Sequence, residues 1–424
     1  MSRSTPIREA DLQRWKLVAA FRQVLAEAVP RHGLSPSFAD PKRLLELADY
    51  LSLFLFGLLN PVVRTMRGLC QASQLERVQR ELCSRPVSLG SFSEAQHVLD
   101  PALLAEVFRA LAEPVPPDDR LDPRLRSRPW LIVDSTLWEA LPRMRWALWR
   151  HQRQTQRAVR LHLGFHLLDS RPARAMVTAG HCCERAAWRA QWEPGDCYVG
   201  DRNYGEDYAV FTELEQRHCA YVIRLRENAV ARVEQELPLS EADREAQVPR
   251  QAWVRLGARG PGVRVRLVWV QTPTELLSLA TNLSAAAMSA ELVARLYRCR
   301  WQVELFFRWI KCILENRHWL AESECGVRAQ VYLALIAALL LQLFTGRRPT
   351  RRMMELIQWY LLGWASVEEL TVRLDRELAR PASKKTVVSG GGSTGLSNRM
   401  AALCPQAGVQ SLAELGRSLR VKIG

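Results

Sequence analysis

The chain has 424 residues, enough for two or three domains around a large core. Its content of 48% hydrophobic and 24% charged residues is that of a globular protein and excludes a disordered or fibrous chain. A net charge of +15 and a pI near 9.8 point to a polyanionic partner, reached through phosphate contacts and counterion release.

The ten cysteines include no Cys-x-x-Cys, and several lie in apolar runs, so they read as buried thiols of a reducing compartment. His181-Cys182-Cys183 has no second pair at ligand spacing, which argues against zinc. Arg3, Arg8 and Asp11 interrupt any apolar leader. The apolar runs at 51–63 and 331–344 fall short of the ~18 residues a membrane span needs and read as buried helices. The expectation is a bacterial, cytoplasmic, nucleoid-associated protein with no membrane partner.

Residues 1–122 read as a helical N-terminal domain. Leu12, Trp15, Val18, Phe21 and Leu25 recur at helical spacing. Asp40-Pro41 starts a helix, and the segment 62–83 carries Arg64, Arg67, Arg77 and Arg80. A DNA-reading helix is one role for this domain, which the family resemblance below extends to recognition of a DNA end; a plain helical bundle is the other. Residues 123–225 form the first part of an α/β core. Strands are expected at 130–134, 143–149, 159–168 and 173–178, then a helix at 184–191. A strand at 197–201, a helix at 204–216 and a strand at 220–224 follow. Three strands and then alternating strands and helices imply a mixed sheet.

Residues 226–283 read as a β-rich insertion and the last core strand, with strands at 253–256, 263–271 and 276–283. Residues 284–345 form the second part of the core. Ser289 caps one long helix, and 323–344 is a buried helix. Residues 346–380 are a helical C-terminal segment with a basic knot of Arg347, Arg348, Arg351 and Arg352. Residues 381–424 are a flexible tail containing Ser-Gly-Gly-Gly-Ser-Thr-Gly.

The helix opened by Ser289 carries the stretch Y-R-C-R-W-Q-V-E-L-F-F-R-W-I-K from Tyr297 to Lys311. At ~100° per residue, Tyr297, Arg300, Glu304, Arg308 and Lys311 fall on one stripe about 80° wide. A solvated face with i,i+4 ion pairs is the plain reading of such a stripe. Two strands that each end in a carboxylate favour another. Asp134 and Asp201 come to one end of a sheet, and the helix supplies Glu304. Three carboxylates from separate elements suit two Mg²⁺ ions about 4 Å apart, with Mn²⁺ able to substitute. Cations on the same helix would clamp the phosphates flanking a scissile bond.

The pattern Y-x2-R-x3-E-x6-K, met by Tyr297, Arg300, Glu304 and Lys311, resembles the signature of DDE transposases of bacterial insertion sequences. The resemblance is to the IS-four group with its Tn-five-like enzymes. Val199-Gly-Asp201-Arg202-Asn-Tyr204-Gly205 resembles that family's second aspartate motif, and Leu131-Ile-Val-Asp134-Ser-Thr its first. The resemblance covers residues 90–345. It implies an RNase H-like catalytic core with a β-rich insertion, preceded by an all-helical N-terminal domain. It implies that Asp134, Asp201 and Glu304 hold the metals and that Tyr297, Arg300, Trp301, Arg308 and Lys311 contact DNA. Implied partners are the transposon's terminal inverted repeats and target DNA, bound by a homodimer. If cleavage runs through a hairpin, Trp269 is a candidate base-stacking wedge. Glu184 and Asp196 are candidate additions to the acidic cluster, Asp196 alternatively a turn residue, and Arg202 is expected to pair with an acidic neighbour. Two other readings stand beside this one: an inactive or domesticated copy that binds DNA without cutting, and an RNase H-like nuclease without strand transfer.

Overall fold

The computed structural model describes residues 16–112 apart from 61 and 64, then 122–151, 154–257, 262–313 and 319–345, and scattered residues between 352 and 376. Arg64, Arg347, Arg348, Arg351, most of the expected linker and the whole tail lie outside the described residues.

The N-terminal part is helical: α1 (Lys16–His32), α2 (Pro36–Ala39), α3 (Leu47–Leu59), α4 (Met66–Ala72), α5 (Glu76–Glu81), α6 (Leu89–Val98), α7 (Pro101–Leu111) and the short α8 (Pro123–Arg126). Local chemistry marks the starts. Thr65, Ser88 and Asp100 each accept a first-turn amide, and Pro101 occupies the first turn of α7, where no N–H is needed.

Ten strands then form one sheet among the described residues. They are β1 (Trp130–Glu139), β2 (Leu148–His151), β3 (Gln154–His166), β4 (Arg171–Ala179), β5 (Cys197–Gly200), β6 (Ala220–Arg224), β7 (Ala231–Glu236), β8 (Arg250–Leu256), β9 (Val263–Gln271) and β10 (Leu276–Thr281). β4, β3 and β1 pair antiparallel, while β1, β5 and β6 pair parallel. The order β4-β3-β1-β5-β6 is that of an RNase H-like sheet. Helices α9 (Glu184–Arg189) and α10 (Ala209–Gln216) lead into β5 and β6. β5 is wholly buried and β6 nearly so, as parallel strands covered on both faces must be.

Alternation splits the sheet into two apolar layers. Trp130, Ile132, Val199 and Val222 join the layer that runs on into the N-terminal helices. Leu131, Val133, Tyr198 and Tyr221 join Trp188, Phe211 and Leu214 on the other face. The first layer is centred on α14 (Glu324–Thr345). That helix is apolar on nearly every side beyond its first turn, where Glu324 pairs with Arg328, and it is largely buried, packed by α1, α3, α6, α7 and β4. It is long and apolar enough to cross a membrane, and here it is a core helix.

β10 pairs antiparallel with β6, so the insertion continues the same sheet through β9 and β8 to β7. β7 and the short α11 (Glu241–Glu245) fall where the sequence shows little periodicity. β7 is an exposed edge strand, which lacks the apolar alternation that reveals a half-buried one. α11 ties the insertion to α12 (Ala290–Cys299), the first half of the helix with the basic stripe. Asp243 accepts the amide of Glu291 at 2.7 Å, and Arg298 Nη2 donates to the Ala246 carbonyl at 2.6 Å.

Arg266 is fully buried beside this junction. Its guanidinium donates to Gln251 Oε1 at 2.6 Å and to the carbonyls of Leu283 and Met288 at 3.1 and 2.7 Å. Burial pushes it down to about 10, so it stays charged at neutral pH. Arg266→Ala strands three acceptors and leaves a cavity. A loss of about 3 kcal/mol is expected by urea denaturation. A change under ~0.5 kcal/mol would mean the junction does not depend on it.

Candidate active site

Asp134 does not end its strand. β1 runs on to Glu139, paired with β3 throughout. What ends is the parallel pairing with β5, whose last register pair is Val133 with Gly200. Asp134 and Asp201 are therefore the next residues in step on neighbouring strands, which lie ~4.8 Å apart. Alternation puts Asp134 on the face of Ile132, beneath the basic-stripe helix. Asp134 Oδ1 accepts the Ser135 amide at 2.7 Å, and Asp201 Oδ1 accepts the Asn203 amide at 2.9 Å in an Asx turn.

The stripe was expected on one helix. The structure has α12 and then α13 (Trp301–Ile313), joined at Arg300. Arg300 keeps helical dihedrals (φ −52, ψ −33). The bonds on either side of it, Arg300 N to Tyr297 O at 3.0 Å and Val303 N to Arg300 O at 3.2 Å, span three residues rather than four. From this tightened turn its guanidinium donates to Glu304 Oε1 at 2.7 Å and to Asp134 Oδ2 at 3.5 Å. It also lies 5.9 Å from the Tyr297 ring. Tyr297 is buried, which raises its phenol above the ordinary range.

Burial pushes Asp134 up to about 7. The Ser135 amide and Arg300 oppose the rise, and the charges of Asp201 and Glu304 add to it. The charges of Asp201 and Glu304 thus both reach Asp134, and Arg300 is bonded to Asp134 and Glu304. No three His, Cys, Asp or Glu side chains among the described residues are gathered closely enough to hold an ion as they stand. The chemistry of the set nevertheless fits a divalent cation. It offers hard oxygen donors from three elements, an excess of negative charge and a carboxylate whose burial only a cation relieves.

The rest of the stripe divides. Trp301 is half exposed, with Arg308 5.2 Å from its ring, and both face outward. α13 runs beside β1, so Lys311 comes to the far end of that strand, 5.8 Å from the Trp138 ring. Burial lowers the Lys311 ammonium below its ordinary range.

Several expected neighbours lie elsewhere. Asp196 precedes the other end of β5, where it accepts from Arg174 and from the Tyr198 hydroxyl at 2.6 Å, so it is a turn residue outside the cluster. Arg202 is exposed and makes no ion pair among the described residues, because the turn after Asp201 carries it outward. Trp269 packs into the layer on the opposite face from the carboxylates, under Arg250. Glu184 is engaged by Arg160 and by Asn203, a contact the sequence does not announce. The one signal for Asn203 is its place two residues after Asp201, where an Asx turn puts an amide.

A sheet of this order with an acidic cluster and a cationic helix over one face defines a nucleic-acid-processing enzyme of the RNase H-like class. The family model of the transposase DDE domain matches residues 126–340, about half the chain and all three carboxylates. The chain belongs to this family of DNA-binding enzymes, which work with divalent metals. The y4zB protein of Sinorhizobium fredii, named as a transposase, is 27% identical over 67% of this chain and 78% of its own length. The protein of the insertion element IS4SA of Synechocystis, also named as a transposase, is 20% identical over 72% of this chain and 83% of its own. A piggyBac transposase in a synaptic complex with hairpin DNA aligns over 94% of this chain and 90% of its own, at 10% identity and a TM-score of 0.36.

The raised Asp134 has a signed consequence. Between the ordinary carboxylate range and about pH 7, the folded chain holds a proton that the unfolded chain has lost, so stability falls as pH rises through that window. Thermal melts without metal should show this loss between about pH 4 and pH 7, and Asp134→Asn should flatten it. An unchanged slope in the variant would place the titration elsewhere.

Proposed function

We propose that this chain is a DNA transposase that cuts at the terminal inverted repeats of its element and joins the freed ends to target DNA. Asp134, Asp201 and Glu304 hold two Mg²⁺ ions, or Mn²⁺ in their place. The observation that supports the reading is that elements far apart in sequence bring the charges of Asp201 and Glu304 to Asp134, with Arg300 bonded to both Asp134 and Glu304. Divalent ions held there would supply activation of a water or a 3′-hydroxyl and stabilisation of the leaving oxygen.

The chain's own residues do the rest. Asp134 sheds its proton as a cation arrives, so cation affinity rises through neutral pH. Arg300 leaves the carboxylates for a phosphate near the cleaved end, which keeps one cation beside each anion. Lys311 and Arg308 take flanking phosphates, Trp301 offers an exposed ring to a base, and Tyr297 supports Arg300 from beneath. Two copies act together, one at each end of the element.

Cleavage of a labelled duplex bearing the flanking repeat tests this. Nicking at the repeat end should need Mg²⁺ and stop with EDTA. Glu304→Ala should lose well over the ~100-fold that removing a merely supporting group costs, with binding retained. Binding without cleavage under any metal would favour the domesticated copy, and hydrolysis without joining would favour a nuclease. Arg300→Gln should bind Mn²⁺ roughly threefold more tightly or better, while its salt dependence of DNA binding loses about one phosphate contact. Weaker Mn²⁺ binding in that variant would show that Arg300 does not compete with the cation.

A further inference from the structure

Behind the two aspartates, on the opposite face of the sheet, a chain of hydrogen bonds connects them. Ser135 follows Asp134 in an extended strand, so its side chain points away from the carboxylates. There Ser135 Oγ accepts from Arg160 Nη1 at 3.0 Å. Arg160 lies on β3, and its Nε donates to the Gly180 carbonyl at 3.1 Å. The same Nη1 is paired with Glu184 Oε1, at the first residue of α9. The second oxygen of Glu184 accepts from Asn203 Nδ2 at 3.0 Å. The Asn203 amide in turn donates to Asp201 Oδ1. The path leaves Asp134 through the Ser135 amide and returns to Asp201 through the Asn203 amide.

This assembly is not built like a surface ion pair. The side chains of Arg160 and Glu184 are 15% and 25% exposed. Buried Tyr204 lies near both, close enough to feel Asp134, Glu184 and Asp201 together. Glu184 is also poorly placed as a further ligand. Both its oxygens are already engaged, one by Arg160 and the other by Asn203.

We propose that Glu184 is a positioning residue that, with Arg160 and Asn203, ties the β1 segment of Asp134 to the turn of Asp201 and sets the separation of the two carboxylates that hold a divalent cation. Two like charges on neighbouring strands repel. A tie from behind holds them at a bridging distance without entering the site. The inference rests on Asp134 and Asp201 being cation-holding carboxylates.

The test is Mn²⁺ binding to the full chain, followed by the loss of the free-ion electron paramagnetic resonance signal. Glu184→Ala should weaken binding about tenfold, as loss of a group supporting a ligand does. Asn203→Ala should shift it in the same direction, and the double variant should be no weaker than the worse single one. Glu184→Gln, which keeps an acceptor for Asn203, should recover part of the affinity. If Glu184→Ala does not fold, the Asn203→Ala shift carries the test. Asp134→Asn is the control. If it abolishes binding while Glu184→Ala and Asn203→Ala leave affinity unchanged, the tie is only structural and the proposal fails. If Glu184→Gln abolishes binding as fully as Asp134→Asn, Glu184 is a ligand and the positioning role is wrong. If Asp134→Asn itself binds Mn²⁺ normally, the assignment of the carboxylates falls and the proposal with it.

Discussion

Three carboxylates brought to one face of a sheet cannot all be charged and largely buried without a cation among them. That constraint organises the molecule. In the chain by itself, Arg300 supplies the positive charge, bonded to Glu304 and Asp134 across the join of two helices. Even so, Asp134 sits near 7, because its burial outweighs the help it receives. On the proposed function, a divalent ion would satisfy the carboxylates better than a single guanidinium, and Arg300 would turn to a phosphate.

The fold serves this arrangement from three directions. The parallel pairing of β1 with β5 stops one residue short of both aspartates, so they emerge together. The insertion, continuous with the core sheet, grips α12 at both ends through Asp243 and the Ala246 carbonyl. It thereby fixes the height and direction of the helix that brings in Arg300 and Glu304. The N-terminal helices share a core with the same face of the sheet through α14. A disturbance in any of these layers reaches the carboxylates through a packed path rather than a flexible one.

Much of this was legible in the sequence because the signals were strong and local. Apolar runs closed by aspartate marked β1 and β5, and a single-stripe helix marked the cationic column. The mixed sheet after N-terminal helices followed from the order of strands and helices, and its RNase H-like character from the resemblance of the three motifs. Other features were hidden for physical reasons. β1 continues past Asp134 because β3 is long enough to pair with it, and a partner 20–30 residues away leaves no mark at Asp134 itself. The break at Arg300 costs one tightened turn and no change of dihedral basin, so helical periodicity runs through it. β7 is an exposed edge without alternation. The Arg160–Glu184–Asn203 tie joins three elements by side-chain reach, and only Asn203 carried a local hint. Asp196 is the turn residue its Pro-Gly-Asp context suggested, whereas Arg202 is carried outward by the turn after Asp201.

The most direct measurement is the anomalous scattering of Mn²⁺ in crystals of the full chain bound to a duplex carrying its terminal repeat. The account predicts ions in contact with Asp134, Asp201 and Glu304, with Arg300 withdrawn from both carboxylates and turned to a phosphate. Ions bound elsewhere, or Arg300 still bonded to Asp134 and Glu304 in the loaded complex, would contradict it.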